Sequence, residues 1–243
     1  MSADDYDNFA VEYDEENATS LLNAHYERPA VLHLLGDVSG RRILDAGCGS
    51  GLLAAELVDR GADVTGFDSS PAMIELARRR LGQTVPLTVH DLSEPLPYED
   101  ETFDDVAASL VLHYLPDWEA PLAEIRRVLK PGGRLVASVN HPFARQINAM
   151  HEDYFATREY GEEVDLNGRT TTLTFWHRPL REVVRAVLDA DLRLRVLDEP
   201  PPSSETPAEL MPPRIASGER SAFLCFLFLV AEKPTTYTPT PIA

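Results

Sequence analysis

Three aspartates each stand at the end of a short apolar run: Asp45 after Ile43-Leu44, Asp68 after Val64 to Phe67, and Asp91 after Val85 to Val89. Between the first two lies Gly47-Cys48-Gly49-Ser50-Gly51, followed at once by the helix-forming run Leu52 to Val58. Glycine permits positive φ and the close approach of a ligand to bare backbone, and the start of a helix offers free N–H groups. Asp45 sits directly before the glycines, where a fixed carboxylate repels a pyrophosphate and attracts a cation. Asp68 falls about twenty residues beyond the loop, the place of an acid that accepts ribose hydroxyl hydrogens. The spacing is G-x-G-x-G, and Leu52 stands where a dinucleotide fingerprint would put its last glycine. The chemistry implied is recognition of a ribose ligand that carries positive charge. A tight strand-to-helix turn with no ligand would use the same glycines.

The elements that must position these groups are strands alternating with helices. Strands are expected over Ile43 to Asp45, Asp63 to Phe67, Val85 to Val89, Phe103 to Leu112 and Arg134 to Val139, each closed by a helix or turn. Ser70 reads as an N-cap with Pro71 at the first helical position. Pro121 to Leu129 carries Leu122, Ile125, Val128 and Leu129 on one side, and Lys130-Pro131-Gly132-Gly133 stops it. Thr19 to Leu35 has helical spacing. The segment after strand five changes character: Gln146 to Tyr154 is helix-like, and alternating runs Arg158 to Leu166 and Arg169 to Phe175 flank Asn167-Gly168, a strong hairpin signal. A helix from Pro179, a sixth strand Leu192 to Leu197, a proline-rich loop to about Gly218 and an apolar strand Ala222 to Ala231 follow. The pattern is α/β: a doubly wound, Rossmann-like seven-stranded sheet, mostly parallel, with the last strand antiparallel and a β-hairpin insertion after strand five. The divisions are 1–40, an N-terminal helical cap; 41–143, the ligand-binding core; 144–178, a substrate lid; 179–233, the rest of the sheet; and 234–243, a disordered tail.

The 243 residues carry 22 Lys and Arg against 40 Asp and Glu, a formal charge of −18. That balance weighs against a nucleic-acid partner, which is bound through basic patches. No apolar stretch is long enough to span a bilayer, and no N-terminal signal is visible. Cys48 and Cys225 are the only cysteines, and neither their placement nor any histidine cluster suggests a disulfide or a metal site. A cytoplasmic protein, monomer or homodimer, is expected.

Taken in order, D-x-G-x-G-x-G (Asp45 to Gly51), D-x-S-x-x-M (Asp68, Ser70, Met73), Asp91-Leu92 and R-R-V-L-K-P-G-G-R-L (Arg126 to Leu135) resemble the class I S-adenosylmethionine-dependent methyltransferases, of the small-molecule type with a methyltransferase domain of the 11/25 kind. The opening Tyr6, Asp7, Ala10, Tyr13 and Asp14 match a Y-D-x-x-A-x-x-Y-D pattern common there. The resemblance extends over roughly residues 5–233. It implies S-adenosyl-L-methionine as cofactor and S-adenosyl-L-homocysteine as product. It also implies that Asp45, Gly47, Cys48 and Gly49 cradle the methionine end and that Asp68 and Ser69 hold the ribose. Met73 would pack on the adenine, Asp91 and Leu92 would bond its edge, and Tyr13 and Ser109 would border the cofactor.

Methyl transfer to a small-molecule O, N or C acceptor is then the expected reaction. Holding donor and acceptor in line and excluding water suffices in principle. A hydroxyl acceptor must also lose a proton, and His141 or His113 is the candidate base, with His177 third. Both His113 and His141 leave strand ends on the ligand side; each could equally be a satisfied histidine under the sheet edge. The aromatics of the insertion, Tyr154, Phe155, Tyr160, Phe175 and Trp176, either line the acceptor pocket or pack on the body. A non-catalytic S-adenosylmethionine sensor and a nicotinamide-dependent oxidoreductase are the alternatives.

Overall fold

Ile43 and Leu44 lie at the centre of the molecule because both faces of their strand are covered. The computed structural model describes residues 9–148, 151–166, 169–222 and 224–235. Strand β1 (Arg42–Ala46) pairs in parallel with β2 (Asp63–Asp68) and with β4 (Phe103–Ser109). Strand β3 (Leu87–Val89) forms one edge beside β2, and β5 (Leu129–Asn140) lies beside β4. Strand β9 (Phe226–Glu232) runs antiparallel between β5 and β8 (Arg193–Asp198), giving the order β3-β2-β1-β4-β5-β9-β8.

Successive residues of the central strands point into opposite layers, as a period of two requires. Leu44, Val106, Leu135 and Leu229 join Leu122 and Ile125 of helix α5 (Glu119–Val128) and Val183 and Val187 of α7 (Leu180–Asp189). Ile43, Ala107, Val136 and Phe228 join Val31 and Leu35 of α2 (Arg28–Leu35) and Ala54 and Leu57 of α3 (Leu52–Asp59). The result is the expected doubly wound sheet between two helical layers. Helix α4 (Pro71–Leu81) starts as its sequence indicates: the Met73 amide donates to Ser70 Oγ at 3.1 Å, with Pro71 at the first position.

Four elements differ from the sequence expectations. Helix α1 (Ala10–Thr19) occupies the acidic segment ahead of the expected helix. The chain turns extended at Ser20 (ψ 151°), then passes through a π-helical turn, Asn23–Glu27, into α2. The Lys130-Pro131-Gly132-Gly133 turn is absorbed into β5, because the Gly132 amide donates to Lys233 O (2.7 Å) and the Lys233 amide to Gly133 O (2.9 Å). Phe103 pairs with Leu129 but Asp105 pairs with Arg134, so the extra residues bulge out of register. Strand four ends at Ser109, and Leu112–Tyr114 form a 3-10 turn. The helix after strand five is α6 (Pro142–Asn148), starting before Gln146.

The insertion is a separate two-stranded sheet of β6 (Arg158–Leu166) and β7 (Arg169–His177). Its Asn167-Gly168 turn lies outside the described residues, as do Tyr6 and Asp7 and residues 236–243 of the expected tail. Leu173 and Phe175 of β7 pack with Phe9 and Tyr13, so hairpin and α1 meet above the carboxyl edge of the sheet. The proline-rich loop 199–212 leads to a short helix, α8 (Pro213–Ala216). No helix among the described residues is long and apolar enough to cross a membrane.

Candidate functional site

The glycine loop is strapped to the neighbouring strand. The amides of Gly47 and Cys48 both donate to Phe67 O, at 2.9 and 2.8 Å, and the Gly51 amide to Cys48 O at 2.9 Å. Gly47 has φ +75°, and a Cβ there would lie 2.5 Å from Val111 Cγ2. A side chain is therefore excluded on two counts. Asp68 closes the cradle: its Oδ2 accepts the Gly49 amide and its Oδ1 the Ser70 amide, both at 2.9 Å. The acid at the end of β2 thus fixes the shape of the loop after β1.

A cavity of about 480 Å³ opens over these strand ends. All eleven residues expected around the cofactor line it. Asp45, Gly47, Cys48 and Gly49 come from β1 and its loop, and Asp68, Ser69 and Met73 from the β2–α4 junction. Asp91 and Leu92 follow β3, Ser109 ends β4, and Tyr13 enters from α1. Asp91 is shaped locally, its Oδ1 accepting both the amide and the hydroxyl of Ser93 at 2.8 Å. Burial pushes the Cys48 thiol well above its ordinary range, so it remains a thiol.

Asp45 is the unusual member. It is 1% exposed, and neither carboxylate oxygen has a hydrogen-bond partner. The Ala54 amide bears on it only weakly. Burial, then the charges of Asp68 and Glu27, push its pKa up to about 7. An orphaned buried carboxylate facing a cavity is a receptor for a cation or a strong donor. The methionine end of S-adenosylmethionine carries an ammonium and a sulfonium, and this donor set fits it.

The two candidate bases, His113 and His141, lie outside the lining of this cavity, the second of the two placements the sequence left open. His113 is buried beside the cavity wall, with its ring against those of Tyr114 and Phe175 and its Nδ1 accepting the Asn140 amide at 3.1 Å. Burial lowers its pKa to about 3, so it stays neutral. His141 accepts the Phe143 amide at Nδ1 (3.1 Å) and donates from Nε2 to Glu199 Oε1 at 2.6 Å. Burial lowers its pKa in spite of Glu199. Neither lines the cavity; each fastens the end of β5 to a neighbouring segment. His177, the third candidate, bonds Tyr154 O at 2.8 Å and is also outside it. Among the insertion aromatics only Trp176 reaches the lining, where it stands opposite Glu159 in the hairpin register. Tyr154 stacks on Phe143, and Tyr160 lies under Arg145 and against Phe175.

Sequence reasoning missed Glu27, Arg28, His90, Tyr114 and Glu159, all of which line the cavity. Glu27 had a signal: it shares helical spacing with Val31 and Leu35, an acid on an otherwise apolar face. Glu159 had none, because alternation names a hairpin face without saying what it covers. No group of metal-ligating side chains occurs among the described residues.

Comparisons with known proteins agree with this geometry. Residues 44–137 match the family model described as a methyltransferase domain. The chain is 35% identical over 140 residues to the demethylmenaquinone methyltransferase of Tropheryma whipplei, covering 56% of this chain and 58% of that protein. It is 40% identical over 111 residues to the ubiquinone biosynthesis O-methyltransferase of Alkalilimnicola ehrlichii, covering 44% and 45%. The match therefore spans about half the length of these relatives. The structure of an S-adenosylmethionine-dependent methyltransferase from Mesorhizobium loti superimposes with a TM-score of 0.64 at 25% identity, over 84% of this chain and 96% of that one.

Proposed function

We propose that this chain, whose residues 44–137 match a family model described as a methyltransferase domain, is a class I S-adenosylmethionine-dependent methyltransferase that transfers a methyl group to a small, partly apolar acceptor, with a hydroxylated aromatic ring of the quinol type as first choice. The observation that carries the reading is the cavity in which the glycine loop, Asp68, Asp91 and the orphaned Asp45 converge. The acceptor class is supported by the aromatic wall of Tyr13, Tyr114 and Trp176 and by the names of the two relatives above.

When bound, S-adenosylmethionine supplies a methyl group already activated by a sulfonium. The work left to this chain is placement. The loop amides and Asp45 would hold the methionine end. Asp68, at the end of β2 and lining the cavity, would hold the ribose hydroxyls. Met73 and Leu92, both buried at the wall, would flank the adenine, with Asp91 at its amino edge. The hairpin and α1 would shield the reacting centre from water. In this reading 144–178 acts as the acceptor lid and 1–40 as the cofactor cover.

Titration calorimetry with S-adenosylmethionine, S-adenosylhomocysteine and NAD is the first test. Binding of both adenosyl ligands is expected; tight binding of NAD alone would sink the reading. Labelled donor should then deliver its methyl group to 1,4-dihydroxynaphthalene or to a component of a cell extract. Binding with no labelled product in any fraction would favour a sensor over an enzyme.

A further inference from the structure

Glu27 is a carboxylate that the fold buries and then leaves half-used. It is 4% exposed, and it stands at the end of the π-helical turn Asn23–Glu27. Such widened turns are rare overall and frequent at functional sites. Its Oε1 accepts two hydroxyls: Ser109 Oγ, from the end of β4, at 2.7 Å and Ser138 Oγ, from β5, at 2.5 Å. Ser138 Oγ also accepts the Leu110 amide at 3.0 Å, which leaves its hydroxyl hydrogen for the carboxylate, an acceptor only when ionised. Both hydroxyls thus orient the carboxylate through one oxygen. Among the described residues no donor bonds Oε2; Arg28, which lines the same cavity, acts on Glu27 through its charge but makes no direct ion pair with it. A buried carboxylate without an ion-pair partner is costly, and one held by two aimed hydroxyls is built to present its free oxygen.

Its place in the cavity says to what. Asp68 and Asp91 follow β2 and β3, on one side of β1, where the strand order reverses. Glu27 hangs over β4 and β5, on the other side. Given the donor placement proposed above, on which this inference rests, the Glu27 side is where the acceptor must lie. Tyr114 and Trp176 line the same cavity and offer ring faces.

We propose that Glu27 touches the methyl acceptor and takes the proton from its phenolic or quinol hydroxyl. The acceptor oxygen forms a bond to the methyl carbon as the carbon–sulfur bond breaks, leaving that electron pair on sulfur. The hydroxyl proton passes to Glu27 Oε2 and leaves to solvent after product release. Charge balances: a sulfonium and a carboxylate become a thioether and a carboxylic acid, and the acceptor becomes a neutral ether.

The test uses the full chain saturated with S-adenosylhomocysteine and 4-nitrocatechol, a phenol whose colour reports its ionisation. It is run at a mildly acidic pH where the free probe is neutral. The wild type should bind the probe and show the band of the ionised form. Glu27→Gln keeps an oxygen for both serine hydroxyls and should hold its affinity for S-adenosylhomocysteine within about threefold. It should lose the ionised band and about tenfold or more of probe affinity, roughly the effect of one charge-assisted hydrogen bond. Glu27→Asp, which withdraws the carboxylate by one methylene, should lose most of the band as well, and it serves if the amide variant fails to fold. Probe binding and colour unchanged in both variants would overturn the proposal. So would a tenfold loss of S-adenosylhomocysteine affinity, which would place Glu27 on the donor, or failure of the loaded wild type to bind the probe. Failure to bind S-adenosylhomocysteine at all would instead overturn the methyltransferase reading beneath it.

Discussion

Asp45 shows what one residue costs when it waits for its ligand. Its folded pKa of about 7 stands above the ordinary 3.8. Between those values the unfolded chain is ionised and the folded chain is not, so the folded state binds the extra proton. Stability contributed at this position therefore falls as pH rises from about 4 to about 7 and is level above that. The ceiling on the cost is on the order of 4 kcal/mol, offset in any amide variant by about 1–3 kcal/mol for an unpaired buried amide. Asp45→Asn should thus melt at the same temperature as the wild type or below it near pH 4. It should gain on the wild type steadily up to neutrality, and bind S-adenosylhomocysteine about tenfold or more weakly. Melting curves of both proteins without ligand, across that range, check it; a difference independent of pH would mean that Asp45 is not the group that titrates. Wild-type affinity should in turn rise with pH toward neutrality, as Asp45 ionises to meet the cation. The expectation of a cation at this position came from the sequence, where the acid is set directly before glycines. The charge state was not, because it depends on burial and on Glu27, which lies far away in the chain. His113 and His141 illustrate the same limit. Their position at strand ends could be read, but which way each ring turns is decided by the Asn140 and Phe143 amides and by Glu199.

At the scale of elements, strands and helices with strong periodicity were the readable part. Ser70-Pro71 announced α4, and the alternating runs announced β6 and β7. Helix α1 was hidden, because its acidic surface carries almost no apolar face and buries only Ala10 within its span. What holds it is long-range. Ser50 Oγ of the glycine loop donates to Asp14 Oδ1 at 2.5 Å, and Arg80 Nη2 of α4 reaches both Asp14 oxygens at 2.9 and 3.0 Å. Arg80 Nη1 donates in addition to Ser50 O. One aspartate thereby joins the cover helix to the loop it covers. Its pair with Arg80 is partly exposed, so its removal should cost about 1 kcal/mol. That energy bears on a single junction beside the site. Asp14→Ala should lower S-adenosylhomocysteine affinity by roughly three- to tenfold and expose α1 to limited proteolysis, while shifting the global melting temperature little. Unchanged affinity together with unchanged proteolysis would show that Phe9 and Tyr13 alone, through Leu173 and Phe175, keep the helix in place.

The whole molecule divides its charges between two ends of one sheet. At the carboxyl end of the parallel strands Asp45 and Glu27 face the cavity, neither in a direct ion pair among the described residues, and each has its pKa raised by burial. At the opposite end the charges are satisfied. Asp105, fully buried near the start of β4, accepts from Arg41 Nε at 2.5 Å and from Arg134 Nε and Nη2 at 2.8 and 3.2 Å. Arg134 also caps the end of α2 through Leu35 O at 2.9 Å. One carboxylate thus ties the entry to β1, strands β4 and β5, and a covering helix. The sequence shows Asp104-Asp105 only as a polar start to a strand; that its second member is buried between two arginines follows from the parallel register, which no local pattern carries. Because breaking a buried pair leaves uncompensated charge, Asp105→Ala should destabilise the fold by about 3–5 kcal/mol. For a chain of this size that lowers the melting temperature by roughly 6–20 °C. Measured at a temperature where the variant is still folded, its affinity for S-adenosylhomocysteine should match the wild type, since the substitution lies at the far end of the strands from the cavity. Loss of affinity in the folded variant would show that the two ends are coupled through β1 and β4, and that the open charges of the site draw on the closed ones for their placement.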